Sequence, residues 1–220
     1  ILKILFLSDA NSIHTIRWIE SLSSDKFEIG LFSFFKPEKD LIEKYKKLNV
    51  KIISPDLRST IKDLRKPNLS KIKYLQAIPL LKKTINEFEP SIVHAHYASS
   101  YGILGYLSRF RPFILSVWGS DIYYFPYKNK FYKWLLKLVI KNSDKVCSTS
   151  VAMKQIIEKE YNRLDVEVIS FGVDIDFFKP GSNCQKFNVG TIKSIENYNG
   201  IDCLIDAAKL VIEDYNKNIY

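Results

Sequence analysis

The feature that most constrains this chain is a rhythm. Short apolar, β-branched runs alternate with longer segments of helical period along most of its length, the pattern of βαβ units around a parallel sheet buried on both faces. The runs predict strands at Lys3–Ser8, Glu28–Ser33, Lys51–Ile53, Ile92–Ala95, Phe113–Val117, Lys145–Ser148 and Glu167–Ser170. Between them the periodicity predicts helices at Ile13–Ser23, Glu38–Leu48, Lys71–Phe88, Ser99–Phe110, Asn129–Asn142 and Val151–Tyr161. Right-handed crossovers then leave one architecture, an α/β, Rossmann-like, doubly wound sheet whose ligands sit outside the carboxyl ends of the strands.

Residues 171–186, FGVDIDFFKPGSNCQK, interrupt the rhythm with Gly172, Pro180, Gly181 and Ser182 and read as a linker. Beyond it, Lys186–Gly190 reads as a strand and Asp202–Tyr215 as a helix. One strand and one helix cannot bury their own apolar faces, so residues 1–178 are expected to form a first domain and 179–220 the truncated start of a second. The chain opens on Ile1 rather than Met, which fits a piece of a longer protein.

Charge narrows the partners. Lys plus Arg number 33 against 24 acidic residues, a formal net charge of +9, which favours anionic ligands. The lysines are spread over several helices without an RNA- or DNA-binding motif, so no nucleic acid is expected. Cys147, Cys184 and Cys203 are odd in number and lack C-x-x-C spacing, so neither a disulfide framework nor a zinc site is indicated and a reducing, cytoplasmic setting is expected. No run reaches the roughly 20 apolar residues of a membrane-spanning helix.

Three loops at predicted strand ends carry the chemistry. After the first strand, SDANSIHTIRW sets Ser12 as a helix N-cap, with Asn11 before it and His14 in the first turn, where free N–H groups suit a phosphate or a sugar hydroxyl. The alternative is an ordinary capped helix with His14 exposed. No G-x-G-x-x-G is present, which argues against a dinucleotide cofactor. After the fourth strand, IVHAHYASSYG puts His94 and His96 on one strand face, beside Tyr97; a metal would need a third ligand, so none is expected. After the fifth, LSVWGSDI ends in Trp118, Gly119 and Asp121: a flat wall, a residue open to close approach or positive φ, and a carboxylate able to accept from hydroxyls or cap a turn. Further on, Lys130, Lys133, Lys137 and Lys141 form one basic stripe beside an apolar side of Phe131, Trp134, Leu135, Leu138 and Val139. That helix suits either an anionic membrane surface or a solvated face over the core.

Taken in order, SIHTIRW, IVHAHYASSYG, LSVWGSD, STSVAM, ISFGVDIDFFKP and VGTIKSIENYNGIDCLIDAAKLV resemble glycosyltransferases of the two-domain GT-B fold, the retaining group 1 and 4 type. FGVDIDFFKP is the most specific piece, similar to the segment by which the N-terminal domain of that family hands over to its nucleotide-binding domain. The resemblance implies transfer of a sugar from a nucleotide-sugar donor to a glycan or lipid-linked acceptor, with retention and without a metal or other cofactor. It implies Asp121, Gly119 and Trp118 at the catalytic cleft, and Asn11, His14, His96 and Tyr97 on the acceptor side. Lys193 is implied at the donor phosphates, where a fixed cation stabilises the leaving diphosphate. The chain alone is then expected to be nearly inactive, and the basic aromatic helix suggests a parent enzyme of polysaccharide biosynthesis that is cytoplasmic and peripheral at the inner face of the cell membrane.

Two departures stand out. Trp118 occupies the place where many relatives carry the cleft histidine, and the paired-glutamate motif of the second domain is absent; Glu20 and Glu28 share its spacing by chance. Two other readings keep the architecture: a non-catalytic module binding anionic glycan or lipid, and a nucleotide-sugar epimerase of the GT-B fold.

Overall fold

The computed structural model describes residues 1–57, 74–181, 189–196 and 199–215. Two compact units divide the chain, Ile1–Phe171 and Gly172–Tyr220, so the division falls seven residues before the expected boundary at 178. The reason is local: the Phe171 ring stacks on His14 at 3.7 Å and so belongs to the first unit.

The first unit is a single parallel sheet. Its strands are β1 (Leu2–Leu7), β2 (Phe27–Phe32), β3 (Lys51–Ile53), β4 (Ile92–His96), β5 (Phe113–Val117), β6 (Lys145–Ser148) and β7 (Val166–Val168). They lie in the order β3-β2-β1-β4-β5-β6-β7, every neighbouring pair parallel. The helices are α1 (Ile13–Leu22), α2 (Lys39–Lys47), α3 (Ile78–Phe88), α4 (Ile103–Ser108), α5 (Ser120–Tyr123), α6 (Lys130–Asn142) and α7 (Val151–Tyr161). The α/β doubly wound fold read from the sequence is the fold observed.

Alternation along β1 explains the layers. Ile4 and Phe6 join Ile16, Ile19 and Tyr45 in a core under α1 and α2, while Leu5 and Leu7 join Leu81, Leu104, Val139 and Ile157 in a larger core on the opposite face. The strand is buried from Ile4 to Leu7, which is why its sequence is a continuous apolar run. Chain order reverses between β1 and β4: the connection after β1 turns to one face and that after β4 to the other. The crevice outside these two strand ends is the switch point of the sheet.

The differences from the expected elements are instructive. The helix expected at Ser99–Phe110 is a π-helical turn, Ala98–Gly102, followed by α4, which stops at Ser108 with Arg109 in the left-handed conformation. A π-turn leaves no hydrophobic period to read. The short α5 and a 3₁₀ turn at Phe125–Tyr127 fill what reads as a loop. The helix expected from Lys71 is observed from Ile78; Lys71–Lys73 lie outside the described residues. On α6, Leu136, Val139 and Ile140 are the buried face, whereas Phe131 and Trp134 are exposed at 60% and 53%. The apolar side expected from the sequence is therefore split between core and solvent.

In the second unit, α8 (Ile201–Tyr215) begins one residue before its expected start and leaves Ile205, Leu210 and Ile212 exposed. Most of the strand expected at Lys186–Gly190 lies outside the described residues, and Val189 and Gly190 are in no strand.

Candidate functional site

Three loops meet at the switch point, each held by a different device. The first, Ser8–Ser12, is tied to its neighbours on the β2 side: Ala10 N–H donates to Ser33 Oγ at 3.0 Å and Tyr45 Oη–H donates to Ala10 O at 2.8 Å. Asn11 completes the tether, its Nδ2 donating to Lys36 O at 3.2 Å and its Oδ1 accepting from Glu38 N–H at 2.8 Å. The side chain expected to meet an acceptor thus bridges to the segment before α2.

The second and third loops are clamped together by Asp121. One oxygen accepts from Ala98 N–H at 2.8 Å, the other from Gly119 N–H at 2.8 Å and Trp118 N–H at 3.1 Å. Burial pushes the carboxyl above the usual carboxylate range, and the backbone donors pull against that shift. Asp121 is fully buried and faces the amides of the loops it joins. Tyr97, at a φ of 73°, adds a second clamp through a short hydrogen bond between its hydroxyl and Ser120 Oγ. Gly119 sits at a φ of 140°, and among the described residues beyond its chain neighbours no heavy atom lies within 4 Å of where a Cβ would stand, so positive φ, not crowding, requires glycine there.

Between the loops lies a cluster of rings. His14 stacks on Phe171 and meets Trp118 edge-on at 5.5 Å; Trp118 packs on His96 at 4.8 Å; His96 meets His94 edge-on at 4.7 Å. Three ring nitrogens in this cluster, His14 Nδ1, His96 Nε2 and Trp118 Nε1, are buried without a hydrogen-bond partner among the described residues. Such atoms are rare in native structures because each forgoes the hydrogen bond it would make in water. All three imidazoles are held toward the neutral form by burial, His94 with its pKa lowered to about 3. His94 Nε2 pairs with Ser116 Oγ at 2.8 Å and His96 Nδ1 with Ser8 Oγ at 3.0 Å, so the two rings engage separate partners. Among the described residues no group of three potential ligands converges on a metal position.

Beside the cluster opens a cavity of about 330 Å³, lined by Ser8, Asp9, Ser12, His96, Tyr97 and Trp118 together with aromatic walls from Phe34, Phe35, Tyr74 and Tyr101. The structure therefore brings His14, His96, Tyr97, Trp118 and Gly119 to one place, with Asp121 beneath them. Lys193 is exposed and lies in the second unit. Sequence reasoning missed Ser8, Thr15, Tyr74 and Phe171. Only Ser8, closing a strand, carried a positional signal; the others reach the site through tertiary packing.

Comparisons with known proteins bear on the family and the fold. The family described as "Glycosyl transferase 4-like" matches residues 3–150. HepE from Anabaena, solved in complex with UDP and glucose, superposes with a TM-score of 0.67 at 16% identity, covering 94% of this chain and 58% of its own. Sucrose-phosphate synthase from Thermosynechococcus elongatus gives 0.72 at 11% identity, with 94% and 59% covered. The 2-epimerase for UDP-N-acetylglucosamine from Listeria monocytogenes, described as putative, gives 0.50 at 13% identity, with 75% and 44% covered. The chain thus spans less than two thirds of the length of these structures, and at such identities the likeness is one of fold. The sequence matches no curated protein.

Proposed function

The chain belongs to the glycosyl transferase 4-like family, and from that premise we propose that it forms the acceptor side of an enzyme moving a sugar from a nucleotide-sugar donor to a glycan or lipid-linked acceptor. Retention of configuration and independence from metal ions and other cofactors belong to the same proposal. The observation that carries it is the switch-point cavity, lined by aromatic rings, beside ring nitrogens of His96 and Trp118 that lack partners among the described residues. Aromatic walls suit the C–H face of a sugar ring, and unpaired nitrogens suit its oxygens. HepE is solved in complex with UDP and with UDP-glucose, which supports a uridine diphosphate sugar as donor.

In this reading Trp118 forms the wall against which the sugar packs, and His14, His96 and Tyr97 face the acceptor. Gly119 gives the loop its path and Asp121 positions it from beneath; Asn11 positions the first loop. Lys193 meets the donor phosphates. Exposed Phe131 and Trp134 beside Lys130, Lys137 and Lys141 favour contact with an anionic membrane surface, where a lipid-linked acceptor would be found.

The test is transfer of labelled glucose from UDP-glucose by the full-length protein to saccharide and lipid-linked acceptors, in EDTA, with the product anomer read by NMR. Transfer with retention is expected. Release of UDP with a C2-epimerised sugar and no glycoside would replace the reading with an epimerase.

A further inference from the structure

From Glu167 to Gly181 every residue is exposed except Phe171, which is half-buried. Just before it the chain is still held to the sheet, since Ile169 N–H donates to Ser148 O at 2.8 Å, and just after it the second unit begins. The ring itself is outside β7 and outside both hydrophobic cores of the first unit. What it packs on is other rings: it stacks on His14 with centroids 3.7 Å apart and planes 16° from parallel, and it meets Trp118 edge-on at 5.5 Å.

That packing is opposed. His14 Nδ1 and Trp118 Nε1, one on each ring that Phe171 touches, are buried without a hydrogen-bond partner among the described residues. Both residues are otherwise only half-buried, so solvent is near and would satisfy either nitrogen if the phenyl ring moved aside. Burial and the charge of Arg17 hold the His14 imidazole toward its neutral form, so the stack is one of packing and not of a cation on the phenyl face. A ring whose packing gain is set against two missing hydrogen bonds, on a segment exposed to either side, has two arrangements of comparable free energy. Its departure would leave the sheet and the cores intact.

We propose that Phe171 is an aromatic latch at the exit of the first unit: closed, it covers the rings of His14 and Trp118; open, it exposes both nitrogens and gives access to this wall of the site. The proposal rests on the transferase reading only for the ligand that such access serves. A ligand that needs the open form binds with its intrinsic dissociation constant divided by the open fraction, so a latch open about one time in ten weakens binding about tenfold. Removing the ring therefore strengthens binding, the opposite sign from the loss of a residue that merely supports the site.

Fluorotryptophan labelling of the chain, with the Trp118 signal assigned by Trp118→Phe, reads the latch without any ligand. In the wild type the Trp118 signal is expected to show exchange broadening in ¹⁹F relaxation dispersion that Trp18 does not share. In Phe171→Ala the broadening is expected to vanish, the signal to gain the H₂O/D₂O shift of a solvated indole, and the His14 midpoint to rise toward about 6.5. Phe171→Leu, which keeps an apolar cover without a stack, is expected to fall between the two. A Trp118 signal free of exchange in the wild type, or one whose solvent shift is unchanged in Phe171→Ala, overturns the latch. In the full-length protein, Phe171→Ala is expected to lower the KM for an acceptor labelled from UDP-glucose by about three- to tenfold. A raised KM overturns the latch and leaves transfer standing. Absence of transfer by wild type and variant alike, with the fluorine and histidine signals as expected, supports the latch and sinks the transferase reading.

Discussion

Gly119 shows how one residue carries a loop. Its φ of 140° is a conformation that side chains with a Cβ rarely adopt, yet none of the described residues crowds the position. Gly119→Ala is therefore expected to cost about 1–3 kcal/mol through backbone strain alone. Urea unfolding of the chain measures it; an unchanged midpoint would mean that the loop relaxes to negative φ without penalty. The sequence left two reasons for glycine here, close approach and positive φ, and the backbone decides for the second. Asp121 is the complementary case. The sequence left its carboxylate to meet hydroxyls or to cap a turn; it caps the turn through Trp118 and Gly119 N–H, and its further partner Ala98 comes from another strand end 23 positions away, a contact no local pattern announces.

At the scale of elements, α4 packs against β5 through a missing side chain. A Cβ on Gly105 would stand 2.3 Å from Phe113 Cε2 and 2.6 Å from its Cζ, inside a ring that is itself buried. Gly105→Ala gains about 1 kcal/mol of helix propensity and loses about 1–3 kcal/mol to overpacking, so a net loss of stability is expected. Pairing it with Phe113→Leu should recover part of that loss; additive losses would place the clash elsewhere. Helix α6 poses the opposite problem, with Phe131 and Trp134 exposed and their rings 5.7 Å apart. Lys133 is engaged by Glu160 at 2.6 Å, which leaves Lys130, Lys137 and Lys141 beside exposed Phe131 and Trp134. Trp134→Ala and Lys137→Glu should each reduce co-sedimentation with vesicles containing anionic lipid and leave neutral vesicles unaffected. Equal or absent binding of the wild type to both vesicle types would remove the membrane from the proposal. Helical period predicted an apolar side but could not say how much of it the sheet would cover.

For the whole molecule, the buried histidines tie stability to pH. His94 titrates near 3 in the folded protein because of burial, against about 6.5 in an unfolded chain. Its folded pKa is the lower one, so the unfolded state binds more protons between these values and stability falls as pH drops through them. At about 1.4 kcal/mol per unit, His94 accounts for on the order of 4–5 kcal/mol by pH 3, and His96 acts in the same sense. Asp121 opposes them: its carboxyl is raised by burial, so its protonation favours the fold as pH falls through the raised value. Since histidine protonation begins at higher pH, the urea midpoint is expected to decline from pH 7 to pH 4.5. A flat profile over that range would mean that His94 is solvated. The sequence by itself determined the architecture, because strands buried on both faces must be apolar at consecutive positions and the helices between them periodic; it also determined which strand ends bear polar residues. Only the tertiary structure decided what those residues do. Partners such as Ser8 and His96, 88 positions apart, meet because β1 and β4 are adjacent in the sheet, and strand order is a property of the packed molecule that no stretch of sequence contains.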